Sequence, residues 1–411
     1  MAIIQPFQCV RPKEELVSRV AALPYDVYNR KEAFIEAKKD ELSFLNMDRP
    51  ETQFDDTMDM YDTKVYKKAR ELFENRLADG TYIKDSDKCY YIYELIMNQR
   101  SQTGIVACAS IDDYLNNVIM KHENTREEKE QDRIRHVDTM SAQTGPIFLA
   151  YRSNEVIRNI VNKRKGTTPL YAFTSEDGIT HNVWKIDDAI SVTAIQDAFA
   201  GISQIYIADG HHRAASAVKV GLKRRDANPN YNGEEEFNYF LSVLFPEDQL
   251  MIMPYNRVVR DLNGLSKSEF LKAVGDKFTI EPKENAVGPT SKCTFGMYLD
   301  QKWYLLTAKE EIAKQSDPVA ALDVSILQNY LLKPILNIVD PRTDNRIDFI
   351  GGIRGLKELE KRVATDMTVA FSMYPTTIQE LFAVADAKQL MPPKSTWFEP
   401  KLRSGIFIHE I

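Results

Sequence analysis

IYIADGHHRAAS, residues 205–216, is a short apolar run that ends in Asp209-Gly210-His211-His212-Arg213 and continues into small residues. The run reads as a buried strand, and Ala214, Ala215 and Ser216 read as the start of a helix. A strand that ends in Gly and enters a helix presents free backbone N–H groups at the helix start, which is an anion site. Gly lets the backbone approach a ligand closely. Arg213 offers a planar fork of donors suited to phosphate oxygens. Asp209 can hold a divalent cation or accept a proton. His211 and His212 can bind phosphate, relay a proton or ligate a metal. A bland strand-to-helix turn does not need five such residues in succession, two of them taken from only six histidines in the chain. Phosphate chemistry is therefore the first expectation. A zinc site is not favoured, since adjacent histidines point apart and no HExxH or cysteine partner accompanies them.

The elements around this stretch set the fold class. Tyr90–Met97 and Gly104–Ile111 flank a polar link and predict a β-hairpin. Helical spacing predicts a helix over 55–78, another over 126–140 and a third over 186–200, the last with Asp187 or Asp188 as its cap. Short strands are expected near 3–10, 146–151, 170–173 and 181–186, and paired strands over 239–245 and 249–253. A helix and strands follow between 263 and 307, then a helix over 323–332 stopped by Pro334. Helices alternate with strands, but hairpins are mixed in. The expectation is an α/β to α+β protein with mixed sheets and flanking helices. At 411 residues, two domains are expected, 1–250 and 251–411, with the boundary between Phe245 and Asn263.

Composition narrows the partners. A net charge of −7 argues against a nucleic-acid binder. The four cysteines are scattered without a CxxC pair, as in a cytoplasmic protein with reduced thiols. No secretory leader is visible at the start, and no apolar run nears the roughly 20 residues that span a bilayer.

Four further segments carry chemistry-bearing residues. Lys121-His122-Glu123-Asn124-Thr125 follows the apolar Val118-Ile119-Met120 and precedes the charged helix with Lys129, Asp132 and Arg133. A loop at an element end is where catalytic groups sit on a rigid scaffold. Pro254-Tyr255-Asn256-Arg257 is read as following a strand. Met391-Pro392-Pro393-Lys394-Ser395-Thr396 gives a cation and hydroxyls in a stiffened loop. Pro24-Tyr25-Asp26-Val27 is a turn.

Together, LPYDV (23–27), HENT (122–125), ADGHHRAA (208–215), PYNR (254–257) and MPPKSTWFEPKLRSGI (391–406) resemble domain-of-unknown-function family 1015. Asn256 stands where that family often has His. The family is similar to free-serine kinases with a ParB/sulfiredoxin-like core, in which a Gly-x-x-Arg turn binds nucleotide phosphate. Here that turn is Gly210-His211-His212-Arg213.

The resemblance implies a kinase that transfers a phosphoryl group from ATP or ADP to a free hydroxyl amino acid, most simply L-serine, with Mg²⁺ held by Asp209. It implies Gly210, His211, His212, Arg213, Arg257, Ser395 and Thr396 on the nucleotide. Glu123 is the expected base, Asp209 its rival, with His122 and Lys394 assisting and Tyr25 and Asp26 lining the substrate. The C-terminal MPPKST segment is expected to return to the cleft. Nucleotide and amino acid are then the partners, without nucleic acid or membrane. Two alternatives stay open: a ParB-like nucleotide-binding regulator without kinase activity, and a phosphohydrolase or phosphotransferase with His211 or His212 as nucleophile.

Overall fold

Strands Tyr90–Met97 and Arg100–Ser110 form the expected hairpin, and its two-residue turn shows why. Asn98 and Gln99 both adopt positive φ, at 50° and 65°. A two-residue turn of this hand matches the twist of the strands it joins. The computed structural model describes residues 1–411. It divides into two units, residues 1–250 with 400–411, and residues 251–399. No helix is long and apolar enough to cross a membrane.

The first unit is built on a nine-stranded mixed sheet. From one edge its strands are Ile119–Met120, Ile205–Asp209, Ile147–Tyr151, Tyr239–Pro246, Arg100–Ser110, Tyr90–Met97, Thr180–Ile186 and Tyr171–Thr174. Ile4–Gln5 adds to Arg100–Ser110. Ile119–Met120 runs parallel to Ile205–Asp209, with Ile119 opposite Ile205 and Met120 opposite Tyr206. Helix His211–Ala227 lays Ala214, Ala217 and Val218 into the apolar core beside Ile119 and Ile207. Gly221 of that helix is forced by space, since a Cβ there would lie 2.4 Å from the Phe237 carbonyl oxygen. The chain end returns to this unit: Ile408 pairs with Val10, and Phe407 packs on Tyr91 and Tyr93.

The second unit holds a six-stranded antiparallel sheet, in the order Phe278–Lys283, Lys302–Ala308, Thr294–Leu299, Val369–Ser372, Tyr255–Val259 and Ile347–Gly351. Mixed and antiparallel sheets with flanking helices are the architecture expected from the sequence.

Local differences have physical causes. The helix expected from residue 55 begins at Thr63, capped by Asp62, whose side chain accepts the Lys64 N–H at 2.8 Å. Asp55 and Asp59 instead accept the N–H groups of Thr57 and Tyr61, a local turn that competes with helix. Residues 249–253 do not pair with Tyr239–Pro246. Pro246 and Pro254 bracket them, Ile252 bridges to Phe398, and the Met253 N–H donates to the Trp397 carbonyl at 2.8 Å. PYNR does not follow a strand but lies largely within one, Tyr255–Val259. Helices Glu155–Lys165, Gly355–Thr365 and Ile378–Asp386 escaped the sequence reading.

Candidate functional site

Parallel pairing explains why His122 and Asp209 become neighbours. Ile119–Met120 and Ile205–Asp209 run side by side and end at the same edge, so the residues beyond their carboxyl ends share that edge. Such strand ends are where open α/β sheets bind ligands. The register of Ile205–Asp209 against Ile147–Tyr151 also shifts between Ile207 and Asp209, an irregularity that re-aims side chains.

Gly210 turns the chain from strand to helix with φ of 94° and no side-chain cap on the helix. Only Gly enters this region without strain. Its N–H donates to Asp209 Oδ1 at 3.0 Å. The Arg213 guanidinium folds back over Gly210, so a Cβ there would meet it at 3.1–3.2 Å. Arg213 Nη1 donates to the Pro146 carbonyl at 2.6 Å, and Nη2 lies 4.0 Å from Asp209 Oδ2.

Lys401 is the partner that sequence reasoning missed. Its Nζ lies 3.3 Å from Asp209 Oδ2. Burial alone would raise the Asp209 pKa, but the cations of Lys401 and Arg213 outweigh it and hold the carboxyl at about 2. Asp209 is therefore a weak base near neutral pH, and its carboxylate already answers two cations.

His122 and His211 face each other. Their ring centroids are 4.5 Å apart with the planes at 90°. Both are buried, at 2% and 5% exposure. Burial lowers the His122 pKa to about 4, against the raising effect of Asp209 and of a hydrogen bond to the Ile207 backbone. Burial, then His122 itself, pushes His211 well below the usual imidazole range. Both rings are neutral at pH 7. Neither ring is fully partnered: His122 Nδ1 and His211 Nε2 are buried without a hydrogen bond. Glu123 stands beside them, partly exposed, with Oε2 3.8 Å from His211 Nδ1.

His212 points away from this pair. Its Nε2 accepts the backbone N–H of Arg126 at 3.0 Å, at the start of helix Glu127–Met140. Burial lowers its pKa, with Lys129 adding to that and Asp26 opposing it. His212 thus does local capping work. Tyr25 carries Arg133 over its ring at 4.1 Å, and Asp26 is exposed. Tyr25, Arg133, Gly145, Arg213 and Ser404 line one narrow cleft.

The remaining expected residues belong to the second unit. Arg257 is buried in its strand, donating to the Tyr255 carbonyl and, at 2.9 Å, to the Lys394 carbonyl. Burial lowers its pKa to about 10. The Lys394 side chain is exposed on a residue with φ of 59°, its Nζ 5.5 Å from the Tyr255 ring centre. Ser395 donates to the Pro392 carbonyl at 2.6 Å, and its own carbonyl accepts from Thr376. Arg257 and Ser395 thus tie the MPPKST loop to its surroundings. Thr396, next in that loop, is half-buried.

The HENT and ADGHHR segments lie within the region that decides the family. The chain belongs to the family of proteins of unknown function DUF1015, whose model matches residues 4–325. No curated protein matches the chain. Among solved structures it is similar to free serine kinase in complex with AMP, at 13% identity over 74% of this chain and 91% of that one, with a TM-score of 0.36. A conserved hypothetical protein from Pyrococcus furiosus is similar at 13% identity over 74% and 94%, with a TM-score of 0.35. SbnI with C-terminal truncation from Staphylococcus aureus is similar at 10% identity over 72% and 82%, with a TM-score of 0.39. At scores this low the likenesses carry no functional argument.

Proposed function

We propose that this chain is a small-molecule kinase that moves a phosphoryl group from ATP or ADP to the hydroxyl of a free amino acid, L-serine. One observation carries the reading. An uncapped helix start at Gly210, edged by Arg213 and Lys401, lies next to the partly exposed carboxylate of Glu123. Phosphoryl transfer needs mainly positioning and charge neutralisation, which those groups can supply. The sequence resemblance to free-serine kinases with a ParB/sulfiredoxin-like core supplies the substrate class.

In this reading the first-turn amides and Arg213 hold the donor phosphates. The acceptor hydroxyl attacks the terminal phosphorus, the bond to the departing nucleotide breaks, and Glu123 takes the hydroxyl proton. Glu123 is preferred over Asp209 because Lys401 and Arg213 hold Asp209 strongly ionised. Tyr25 and Asp26 border the acceptor.

Mg²⁺ fits the chain's own donors poorly. Mg²⁺ takes oxygen ligands and keeps several waters. Asp209 is already paired with Lys401, and the neighbouring cluster offers two imidazole nitrogens. Mg²⁺ would arrive on the phosphate oxygens of the nucleotide.

The test is direct. The purified full chain is incubated with L-serine and the magnesium complex of ATP, ADP or CTP, and O-phosphoserine is measured by mass spectrometry. One donor is expected to give product with multiple turnovers. No product with any of the three overturns serine as the acceptor.

A further inference from the structure

Six histidines occur in the chain, and their ring partners divide them. His136 Nε2 meets the Met47 carbonyl at 2.9 Å. His181 meets Tyr93 Oη at 2.8 Å and Ser175 Oγ at 3.0 Å. His409 Nε2 meets Glu236 at 2.7 Å, and His212 accepts from Arg126. Only His122 and His211 are buried with an orphaned ring nitrogen. A native interior rarely leaves such atoms unpaired, and each exception calls for a reason such as an ion.

The two rings are not scattered. One ligand atom from each of His122, Glu123 and His211 lies within 4.8 Å of the others. A tetrahedral ion with bonds of about 2.0–2.1 Å holds its ligand atoms roughly 3.4 Å apart. A small contraction around an ion satisfies this, with Glu123 on the partly exposed side of the cluster. At 3.8 Å the His211–Glu123 contact is too long for a hydrogen bond, so it does not account for the arrangement. His122 also has the second contact that metal-binding histidines favour. One ring nitrogen bonds the Ile207 backbone, which leaves Nδ1 with its lone pair.

We propose that His122, Glu123 and His211 bind one divalent transition-metal ion of the zinc class, with at least one coordination position left open. Two imidazoles and one carboxylate favour Zn²⁺, Co²⁺ or Ni²⁺ over Mg²⁺ or Ca²⁺. The adjacent His211 and His212 do point apart, as the sequence suggested, but the second imidazole comes from the HENT loop instead. The site rests on these three side chains and not on serine as acceptor. A ligating carboxylate cannot also take a proton from the acceptor. An ion bound here therefore blocks the base, and Zn²⁺ inhibits the transfer proposed above.

The experiment titrates EDTA-treated full-length chain with Co²⁺ and reads its visible ligand-field absorption. One saturable site is expected, displaced by Zn²⁺ and untouched by a large excess of Mg²⁺. His122→Ala with His211→Ala abolishes it. Should that pair fail to fold, Glu123→Gln, a change at a partly exposed carboxylate, decides. It weakens Co²⁺ by more than the roughly 10–100-fold that loss of an outer partner costs. No saturable cobalt spectrum, a spectrum unchanged by Glu123→Gln, or displacement by Mg²⁺ as readily as by Zn²⁺ overturns the site. Cobalt binding without phosphoserine removes only the kinase reading; phosphoserine without cobalt binding removes only the metal site.

Discussion

Two buried histidine pockets in the first unit share their burial and differ in how their ring nitrogens are partnered. His181 is sandwiched between Tyr93 and Phe173, with both ring nitrogens partnered. His211 stands at right angles to His122, with Nε2 unpartnered and a partly exposed carboxylate alongside. Burial pushes both pKa values down, His181 to about 3, so titration does not separate them. Partnering does. The first pocket stabilises the fold, and the second retains unsatisfied polar atoms that a ligand can use. Such atoms are a strain that proteins keep where function needs them.

The largest expected effect comes from removing a ring on each side. His211→Leu takes away an orphan and should leave the thermal midpoint equal or higher, while the saturable Co²⁺ site is lost. His181→Leu should do the reverse. It removes one hydrogen bond each from Tyr93 Oη and from Ser175 Oγ, which keeps Asp177 and Arg403, costing about 1–3 kcal/mol in denaturant unfolding, with Co²⁺ binding retained. If both variants lose stability equally and Co²⁺ binding equally, the distinction between the pockets is wrong.

Gly210→Val is next. It forces a β-branched residue into positive φ against the Arg213 guanidinium. About 1–3 kcal/mol of stability should be lost. Transfer should fall at least about tenfold, read as a rise in the nucleotide KM. Unchanged nucleotide affinity would detach the turn from the phosphates.

The smallest effect is a pH dependence. His122 titrates at about 4 in the folded chain, against an ordinary 6.5. Between those values the unfolded state binds more protons, so stability rises with pH across that window and is complete above it. His181, His136 and His211 are shifted in the same direction. Asp209 has the usual carboxylate behaviour: its contribution is present above about 4 and is lost as pH falls toward 2. Thermal midpoints should therefore drop from pH 6.5 to 4, and less steeply in His211→Leu. A flat profile over that window would contradict the neutral, buried state of these rings.

Much of this was legible in the chain because the signals were local. IYIAD is followed by a glycine and small residues, so the strand, the turn and the start of the helix could be read directly. The polar residues 98–102 marked the hairpin in the same way, although the second strand already starts at Arg100. What was not legible depends on pairing over long distances. Ile119–Met120 is two residues long and has no periodicity, yet its parallel register brings His122 to the Asp209 edge. Lys401 lies 192 residues beyond Asp209, so no spacing rule could join them. His212 looked equal to His211 in sequence, and only the direction of the helix start separates a capping ring from a buried one. The paired strand expected at 249–253 failed because its apolar residues meet residues 397–399 and not the preceding strand.

The central claim is that Glu123, beside the Gly210 turn, serves phosphoryl transfer. The most direct measurement is the rate of O-phosphoserine formation from L-serine by Glu123→Gln, taken beside its thermal midpoint. A loss of at least about a hundredfold with an unchanged midpoint is predicted. A variant that folds normally and keeps the full wild-type rate would contradict the account.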